Sequence, residues 1–500
     1  MDELLTPVEM SEADRLAGDL NGTGTYGLML RAGQALAGEI LQRCANAPGF
    51  DILCGTGNNG GDGYVLATLL NEHGLDVRIW CEAEPEEGID AARAASECPV
   101  ERASLDAFIP QQGRVVVDAL FGAGLSRPVD GSYAQALQHC VDYGARIIAV
   151  DLPSGVAGDS GAVLGVAAPA ELTVTFFRKK PGHVLYPGRA LCGEIVVADI
   201  GIPEQVLRTI EPRCRENLPS VWLERLPQPS YDSHKYRRGH VAVFSGPATM
   251  TGAARLTALA AARIGAGAVT MLSPASALAV NAMHLTSIML RRVEAEEELR
   301  AFLEERHPAA LVLGPGFGIG AKARLFTDLA LRHEGPGGVC LKMVLDADAL
   351  TSFSQDAQML FDAVEANGGN VVLTPHEGEF ERLFADIASE PGLSKPQRAR
   401  FAAERSHAVV VLKGADTVIG SPEGTVAINT NATPYLATAG SGDVLAGMIA
   451  GLMGQGMPCF EAACAAVYLH AETGRSVGPG LIAEDLPARL PVVLNTLLKD

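Results

Sequence analysis

The stretch Cys54 to Val65 reads CGTGNNGGDGYV, in which five glycines surround Asn58, Asn59 and Asp62. It follows a short apolar run, Phe50 to Cys54, and opens a segment with helical periodicity. An apolar run that ends in glycines and continues as a helix is typical of the strand-turn-helix units of a parallel sheet. The stretch therefore predicts an α/β fold with a glycine-rich loop at the carboxyl end of one strand.

The glycines of this loop match a nucleotide-binding pattern. Gly55, Gly57 and Gly60 fit G-x-G-x-x-G, in which glycines let the backbone approach phosphates and the helix start supplies amide donors. A turn with a purely conformational role is the alternative, but one Gly or Asn is enough for a positive φ. The pattern therefore favours a loop that holds a ligand.

Short apolar runs alternate with helical segments along the chain, which predicts βαβ units around parallel sheets. The strands predicted in the first half are Phe50 to Cys54, Val77 to Trp80, Arg114 to Ala119, Arg146 to Val150, Leu172 to Phe176 and Glu194 to Ile200. Those predicted in the second half are His240 to Ser245, Ala268 to Leu272, Ala309 to Leu313, Val339 to Leu345, Asn370 to Leu373 and Ala408 to Leu412. Two long helices follow, Gly442 to Gly454 and Phe460 to Val477.

The alternation stops between about Pro203 and Arg238, where prolines and a basic cluster are typical of a linker. The 500-residue length also favours two large domains. We therefore place a boundary near residue 215 and predict domains over residues 1–215 and 225–500. No sequence repeat relates the two halves, so duplication is not indicated.

Composition limits the classes of function. The formal net charge is −20, which argues against a general binder of nucleic acid or anionic membranes. No apolar run approaches the length of a membrane helix, and the acidic N-terminal segment lacks the features of a secretory signal. The ten cysteines show neither CxxC pairs nor metal-ligand spacing. We expect a cytoplasmic protein with reduced, mostly buried cysteines and no zinc site.

Two further predicted strands end in carboxylates. Asp118 lies in VVVDALFGAGLSRP, and Asp151 lies in IIAVDLPSG together with Ser154. Ligands of a doubly wound sheet bind outside the carboxyl ends of its strands, so these loops and the glycine-rich loop are expected to converge on one crevice. Their oxygen-rich side chains suit a hard cation or sugar hydroxyls. For either aspartate taken singly, a helix N-cap is the alternative.

The motifs GTGNNGGDG, DALFGAGL and DLPSG, in this order, resemble the N-terminal epimerase module that interconverts the R and S forms of hydrated NADH and NADPH (NADHX and NADPHX). The resemblance covers about residues 1 to 210 and implies a Rossmann-like fold. The residues that it implies for substrate binding are Asn58, Asn59, Gly60, Gly61, Asp62, Gly122, Ala123, Gly124, Leu125, Ser126, Arg127, Pro128 and Asp151. It also implies a potassium ion held by Asn59, Asp118 and Ser154.

Within this resemblance, Asp151 is expected to handle protons at the carbon that is epimerised. The chain departs from the family at one position, since Leu30 stands where members usually have a glutamate. The departure concerns the role of that helix and not the crevice.

In the second half, Ala439 to Gly447 reads AGSGDVLAG and runs into an apolar helix. Gly440 and Gly442 leave the amides of the helix start exposed, which makes an anion site. Asp443 is expected where a bound phosphate meets an acceptor hydroxyl, and its carboxylate can take the proton of that hydroxyl. An aspartate that only complements the helix dipole is the alternative, but it leaves the glycines unexplained.

Four other loops follow predicted strands and are expected to open on the same face. They are GPGFG from Gly314 to Gly318, LDADAL with Asp346 and Asp348, TPHEGEF with His376 and Glu377, and KGADT from Lys413 to Thr417. Lys413 can offset the charge of a nucleotide phosphate, with an ordinary surface lysine as the alternative. His376 can contact a nucleotide, with a structural histidine as the alternative.

The GSGDVLAG helix start resembles the ribokinase-like fold, in which this aspartate activates the hydroxyl that receives phosphate. With GPGFG, TPHEGE and KGADT, the second half is similar to the ADP- or ATP-dependent dehydratase of S-form NADHX and NADPHX, over about residues 225 to 500. The resemblance implies hydrated-cofactor contacts from Ala253, Gly316, His376 and Asp443. The residues that it implies for the adenine nucleotide are Lys413, Gly414, Ala415, Asp416, Thr417 and Gly442. Ser441 replaces the usual threonine and keeps the hydroxyl.

Together the halves resemble the bifunctional NAD(P)H-hydrate repair enzymes. The expected dehydratase reaction transfers the terminal phosphoryl of ADP or ATP to the ring hydroxyl, with Asp443 as base and magnesium bridging the phosphates. Phosphate then leaves and the dihydronicotinamide is restored. The sequence does not choose between ADP and ATP, although bacterial members generally use ADP, nor between NADHX and NADPHX. A homo-oligomer is expected.

Two other classes of function stay open on the residues alone. A vitamin or sugar kinase can carry the same helix start, with the first domain as a regulatory module, but TPHEGE together with KGADT argues against it. A redox enzyme with NAD on the first glycine-rich loop can use Glu82 for the ribose. That interpretation leaves Asn58, Asn59 and Asp118 without a role.

Overall fold

The structure, a computed structural model, describes residues 2–22, 24–231, 235 and 237–498, and it divides into two compact units, Glu3–Cys214 and Arg215 onward. The strands of the first unit are β1 (Glu3–Leu4), β2 (Phe50–Cys54), β3 (Val77–Cys81), β4 (Arg102–Ser104), β5 (Val115–Ala119), β6 (Arg146–Val150), β7 (Leu172–Phe176) and β8 (Glu194–Ala198). Its helices are α1 (Pro7–Asn21), α2 (Gly24–Cys44), α3 (Asn58–Glu72), α4 (Asp90–Glu97), α5 (Gly131–Tyr143), α6 (Gly188–Leu191) and α7 (Val206–Ile210).

The sheet of the first unit is parallel, with the strand order β4-β3-β2-β5-β6-β7-β8. The order reverses at β2, so the chain builds outward in both directions from the junction of β2 and β5. Both faces of the sheet are buried, since Ile52 and Val117 belong to one apolar core and Leu53 and Val116 to another. The loops after β2, β5 and β6 therefore lie side by side at the switch point, as the sequence predicted.

The remaining strands are β9 (Cys214–Glu216), β10 (His240–Phe244), β11 (Ala268–Ser273), β12 (Met289–Arg292), β13 (Ala310–Leu313), β14 (Lys342–Leu345), β15 (Val371–Leu373), β16 (Val409–Leu412), β17 (Val418–Gly420) and β18 (Val426–Ile428). The remaining helices are α8 (Gly252–Arg263), α9 (Ala275–His284), α10 (Glu296–Arg306), α11 (Ala321–Leu331), α12 (Asp348–Ser352), α13 (Ala357–Ala366), α14 (Glu377–Leu383), α15 (Ala385–Ser389), α16 (Lys395–Ser406), α17 (Ser441–Gly454), α18 (Cys459–Val477) and α19 (Asp485–Leu497).

In the second unit, the strands β12-β11-β10-β13-β14-β15-β16 are parallel in this order, and β17 and β18 continue the sheet antiparallel. The helix α17 packs closely on α8. A Cβ built on Gly447 would lie 2.1 Å from the Thr257 carbonyl oxygen, and one on Gly451 would lie 2.2 Å from Ile264 Cγ2. Glycine is therefore required at this helix contact, which fixes where the start of α17 meets the site.

The structure confirms two α/β units and the twelve predicted strands to within a few residues at their ends, but corrects the linker. The segment predicted as a linker forms α7, and its Val206 is buried in the core of the first unit. Its Trp222 is 1% exposed and lies in the core of the second unit. Buried apolar side chains therefore anchor this segment at two points, Val206 and Trp222. Residues 232–234 and 236, within the same predicted linker, lie outside the described residues.

Seven of the ten free cysteines are buried, which confirms the predicted burial. Across the part of the chain that the structure describes, no helix combines the length and the apolar character needed to span a bilayer.

Candidate active sites

A cavity of about 740 Å³ lies in the first unit at the carboxyl ends of β2, β5 and β6. Its walls include Asn58, Asn59 and Asp62, the loop of residues 122–127, and Asp151. The predicted crevice is therefore present, with most of its predicted residues together. Gly60, Gly61, Pro128, Asp118 and Ser154 were predicted for substrate or cation binding and are not part of the cavity wall.

Different glycines of the loop after β2 have different roles. A Cβ on Gly60 would lie 1.9 Å from the Gly55 carbonyl oxygen, and one on Gly61 would lie 2.5 Å from Met29 Cε. A Cβ on Gly55 would lie 1.9 Å from the Leu120 carbonyl oxygen. By contrast, Gly57 lines the cavity and has no atom within 4 Å of its Cβ position. Close packing thus explains Gly55, Gly60 and Gly61. Of these four glycines, Gly57 is the one whose backbone faces the cavity, where a ligand can approach it.

We therefore expect Gly60→Ala and Gly57→Ala to differ in stability. Overpacking against the rigid backbone should destabilise Gly60→Ala by about 1–3 kcal/mol, a loss of several degrees in the thermal midpoint. Gly57→Ala should keep the wild-type midpoint and weaken nucleotide binding, because its methyl group projects into open space near the ligand. Thermal denaturation of both variants checks this, and equal midpoints for the two would contradict it.

The Asp151 carboxylate in the cavity wall accepts three hydrogen bonds. Its Oδ1 accepts hydrogen bonds from Lys180 Nζ at 2.6 Å and from Thr175 Oγ1 at 2.9 Å, and its Oδ2 accepts one from the Ala123 amide at 2.9 Å. Its backbone carbonyl accepts from His183 Nε2 at 2.7 Å. The strand ends of β6 and β7 and the loop after β5 therefore hold this carboxylate in one orientation.

The charges around Asp151 keep it ionised. Burial acts to raise the pKa of Asp151, but the Lys180 ammonium and its hydrogen bonds lower it to about 2. Lys180 is itself buried and lines the cavity. His183 stays neutral because burial and Lys180 lower its pKa to about 4. Sequence reasoning missed Lys180 and His183, although the stretch FFRKKPGH after a predicted strand carried a signal for them.

Asp118 and Ser154 form a buried pair behind the cavity wall. Ser154 donates to Asp118 from its amide at 2.8 Å and from its hydroxyl at 2.5 Å, and the Leu120 amide donates at 3.3 Å. Burial raises the pKa of Asp118 despite these hydrogen bonds. No ion pair with Asp118 occurs among the described residues. A buried carboxylate without a cationic partner, beside the Ser154 hydroxyl oxygen, fits the implied potassium ion.

The neighbouring helices close the cavity. Leu28 and Met29 of α2 and Asp14 of α1 contribute to its wall. Leu30, the departure from the family, is 37% exposed and is not part of the wall. Glu82, which the redox interpretation needs for a ribose, is exposed, accepts a hydrogen bond from Ser132 and also lies outside the wall. The geometry gives the redox interpretation no support.

In the second unit, Asp443 lies in the first turn of α17 within a set of charged groups. Burial and the charge of Asp346 raise the pKa of Asp443 to about 6, while Lys413 acts in the opposite direction. Lys413 Nζ lies 2.8 Å from Asp346 Oδ1 and 4.0 Å from Glu379 Oε2. These carboxylates outweigh burial and raise the pKa of Lys413. The site therefore combines a permanently charged ammonium with a carboxylate that titrates near neutrality.

The backbone at the start of α17 is held from behind by a buried histidine. Gly440 has a φ of 88°, a left-handed conformation that favours glycine. His470 Nε2 donates to the Ser441 carbonyl at 3.0 Å and lies 3.2 Å from the Ser441 hydroxyl. Burial lowers the pKa of His470 to about 4, so it stays neutral. Gly442 faces Lys413, whose Nζ lies 3.6 Å from the Gly442 Cβ position.

Two hydrogen bonds within the loop of residues 413–417 hold its conformation. The Thr417 hydroxyl donates to the Gly414 carbonyl at 3.0 Å and accepts from the Gly414 amide at 3.2 Å. Asp416 is paired with Lys395 at 2.7 Å, and Gly414 and Ala415 are exposed. The exposed backbone between two anchored side chains can therefore contact a nucleotide. The sequence did not indicate Lys395.

Of the residues predicted to contact the hydrated cofactor in the second unit, Ala253 and Gly316 lie side by side, and His376 lies at the start of α14. Gly316, with a φ of 61°, lies against α8, its Cβ position 3.5 Å from that of Ala253. His376 caps α14, where its Nδ1 accepts from the Glu379 amide at 3.3 Å and its ring is largely exposed. His376 therefore has a structural role as a helix cap, and its exposed ring can also contact a ligand.

Comparison with known proteins adds an independent result. Residues 25–182 match the family described as YjeF-related protein N-terminus, and residues 241–488 match the family described as NAD(P)H-hydrate dehydratase. The Bifunctional NAD(P)H-hydrate repair enzyme Nnr of Coxiella burnetii is 34% identical over 497 residues, which cover 97% of this chain and 98% of that protein. This chain belongs to the family of bifunctional NAD(P)H-hydrate repair enzymes.

Two further relatives extend the comparison. The NAD(P)H-hydrate repair enzyme Nnr of Moorella thermoacetica is 35% identical over 528 residues, covering 99% of this chain and 97% of that protein. The solved ADP/ATP-dependent NAD(P)H-hydrate dehydratase of Bacillus subtilis, co-crystallized with ATP/Mg2+, is 27% identical, with a TM-score of 0.45, and covers 54% of this chain and 94% of its own. The predicted family, a bifunctional enzyme with an epimerase module followed by a dehydratase module, is confirmed.

Proposed function

We propose that the first unit interconverts R and S forms of NADHX and NADPHX, and that the second unit dehydrates the S form at the expense of ADP or ATP. Family membership over nearly the whole chain supports both activities. The observation that carries the site assignment is the position of Asp443, in the first turn of α17 and close to Lys413 and Asp346. We propose domain limits of residues 1–215 and 225–500 for the two activities.

For epimerisation, we assign substrate binding to Asn58, Asn59, Asp62, the loop of residues 122–127 and Asp151. This assignment is supported by their common position in the wall of the cavity. Asp151 is ionised and fixed by Lys180, so it can accept a proton from a hydroxyl or a water at the epimerised carbon. Potassium, held by Asn59, Asp118 and Ser154, would neutralise the buried Asp118 carboxylate.

For dehydration, Asp443 takes the proton of the ring hydroxyl while the oxygen of that hydroxyl attacks the terminal phosphorus of the nucleotide. The bond from that phosphorus to the leaving phosphate oxygen breaks, and the ring carries a phosphate ester. Phosphate then departs with the C–O electron pair, and loss of a proton from the neighbouring ring carbon restores the dihydronicotinamide. In this proposal Lys413 and the amide of Gly442 offset negative charge on the transferred group, which is supported by the 3.6 Å between Lys413 Nζ and the Gly442 Cβ position.

Magnesium fits this site as an ion held mainly by substrate phosphates. Magnesium in phosphoryl-transfer sites commonly uses only one or two protein carboxylates. Among the described residues, no three His, Cys, Asp or Glu side chains are grouped so that they could hold a metal ion by themselves. Asp346 and Asp348, whose charges act on Asp443, are the carboxylates that would hold it. The cytoplasmic location and the homo-oligomer stay predictions.

The direct test uses a mixed R and S hydrate of NADH. Enzyme, magnesium and either ADP or ATP are added, and the near-ultraviolet absorbance of re-formed dihydronicotinamide is followed. Wild type should convert the whole mixture, and the nucleotide that supports conversion identifies the donor. The same assay with the hydrate of NADPH compares the two substrates. Recovery with neither nucleotide, together with phosphorylation of a small hydroxylated compound, would favour the kinase interpretation instead.

A further inference from the structure

The helix α1 brings a carboxyl group into the epimerase cavity that the sequence motifs did not indicate. Asp14 is half-buried and forms part of the cavity wall with Asp62, Asp151 and Lys180. Within the described ranges, no hydrogen bond or ion pair engages its carboxyl group. Asp151, by comparison, is held by three donors. Among the described residues, Asp14 and Asp62 are thus carboxyl groups of this cavity without a hydrogen-bond donor or a cationic partner. Asp14 is only half-buried, on a helix at the edge of the cavity, and can turn toward a bound substrate.

The surroundings of Asp14 differ from those of Asp151. Burial raises the pKa of Asp14, the Lys180 ammonium lowers it and the Asp151 carboxylate raises it again, which leaves it at about 6. Burial, followed by the charges of Asp151 and Asp14, also raises the pKa of Asp62 well above its usual value. On α1 itself, Glu12 and Arg15 pair with each other at the cavity. The pKa values of Asp14 and Asp151 are therefore shifted in opposite directions within one site, which is the usual arrangement of a catalytic acid and a catalytic base.

We propose that Asp14 is a catalytic acid of the epimerisation, giving its proton to the hydroxyl that leaves the hydrated ring, while ionised Asp151 accepts a proton from the water that adds back. This proposal rests on the epimerase function assigned to the cavity. The hydroxyl carbon adjoins the ring nitrogen. The protonated hydroxyl leaves as water with the C–O electron pair, and the nitrogen lone pair forms a C=N bond.

Water then adds to the other face of that carbon and loses a proton to Asp151. One water leaves and one returns, so the products have the composition of the substrate and no oxidant or reductant is needed. Proton exchange with solvent resets Asp14 and Asp151. In the reverse direction, the two carboxyl groups exchange roles. In this scheme one carboxyl group protonates the leaving hydroxyl and a separate one accepts the proton of the added water, and we assign these roles to Asp14 and Asp151.

The test compares Asp14→Asn, Asp14→Glu and the control Asp19→Asn in the full-length protein without nucleotide. Asp19 is on the same helix, highly exposed and outside the cavity wall. Interconversion of the separated R and S hydrates is followed by chromatography across pH 5 to 8, with the spontaneous rate subtracted. The acid must carry its proton, so wild-type kcat/KM should fall as pH rises above about 6. We expect Asp14→Asn to be about 100-fold slower and to lose this pH dependence, with partial recovery in Asp14→Glu.

Dehydration of purified S hydrate by the same preparations checks folding, and should be equal in all three variants. A wild-type rate in Asp14→Asn would overturn the proposal. So would a slower Asp14→Asn that keeps the wild-type pH profile, since Asp14 would then only position other groups. A pH dependence lost in Asp62→Asn but kept in Asp14→Asn would also overturn it by assigning the acid to Asp62. Failure of the proposed function itself has a different signature, a wild-type protein without any epimerisation above the spontaneous rate.

Discussion

Asp443→Asn is expected to slow nucleotide-dependent recovery of NADH from the S hydrate by about 10²- to 10⁴-fold, the usual contribution of a positioned general base. Asparagine keeps the size and most of the hydrogen-bonding capacity of the side chain, but it cannot accept the proton of the ring hydroxyl. The start of α17 and the position of Lys413 should be unchanged. Initial rates from near-ultraviolet absorbance, with purified S hydrate and saturating nucleotide and magnesium, measure the effect.

The pH dependence separates a base from a residue that only binds substrate. Burial and the charge of Asp346 raise the pKa of Asp443 to about 6. Because the base must be ionised, wild-type kcat/KM should fall as pH decreases through about 6, and the residual activity of the variant should not follow this curve. A raised carboxyl pKa favours the folded state below 3.8, and this contribution is lost as pH rises through about 6. The neutral variant should therefore have a higher thermal midpoint than wild type at pH 8.

Two controls make this result specific. Asp362→Asn changes an exposed aspartate of α13 in the same unit and should keep both activities. Epimerisation by Asp443→Asn should equal that of wild type, because each of the described residues that line the epimerase cavity belongs to the first unit. Dehydration within a few-fold of wild type would contradict the assignment of Asp443 as the base.

The sequence predicted the crevice of the first unit because each of its motifs follows a predicted strand of a parallel sheet. The loops after β2, β5 and β6 could be placed at one edge because the sheet was predicted to be parallel, and parallel strands have their carboxyl ends at one edge. The separate roles of Gly57 and Gly60 could not be predicted in this way. Both fit the glycine pattern, and only the approach of the Gly55 carbonyl to Gly60 distinguishes a packing glycine from one that faces a ligand.

Charged partners were the other limit of sequence reasoning. Lys180 is 29 residues from Asp151, and their 2.6 Å contact depends on β7 lying beside β6. In the sequence, Lys180 is one of two adjacent lysines, a pattern equally typical of a solvated surface. Asp14 was not predicted as a site residue for the same reason, because it lies in an acidic N-terminal segment that is equally typical of a solvated helix. Whether such residues face solvent or a cavity is decided by tertiary packing, which local periodicity does not contain.

Asp151→Asn is expected to affect both epimerisation and folding. Asparagine tolerates the φ of 64° at this position, so the backbone should be retained. Loss of the carboxylate should slow epimerisation by about 10²- to 10⁴-fold. It also leaves the Lys180 ammonium buried without its counter-ion, which commonly costs about 3–5 kcal/mol. The lowered pKa of Asp151 means that its contribution to stability is present above pH 3.8 and is lost only toward pH 2.

The double variant Asp151→Asn, Lys180→Met separates these two effects. Methionine removes the unpaired charge and keeps much of the apolar volume of the lysine side chain, so the thermal midpoint should recover a large part of what the single variant loses. If Asp151 handles protons, epimerisation should stay as low as in the single variant, while dehydration of S hydrate approaches the wild-type rate. Recovery of epimerisation along with stability would instead show that Asp151 acts by supporting the fold around the cavity. The catalytic and structural roles of one buried ion pair are thus measured as separate quantities.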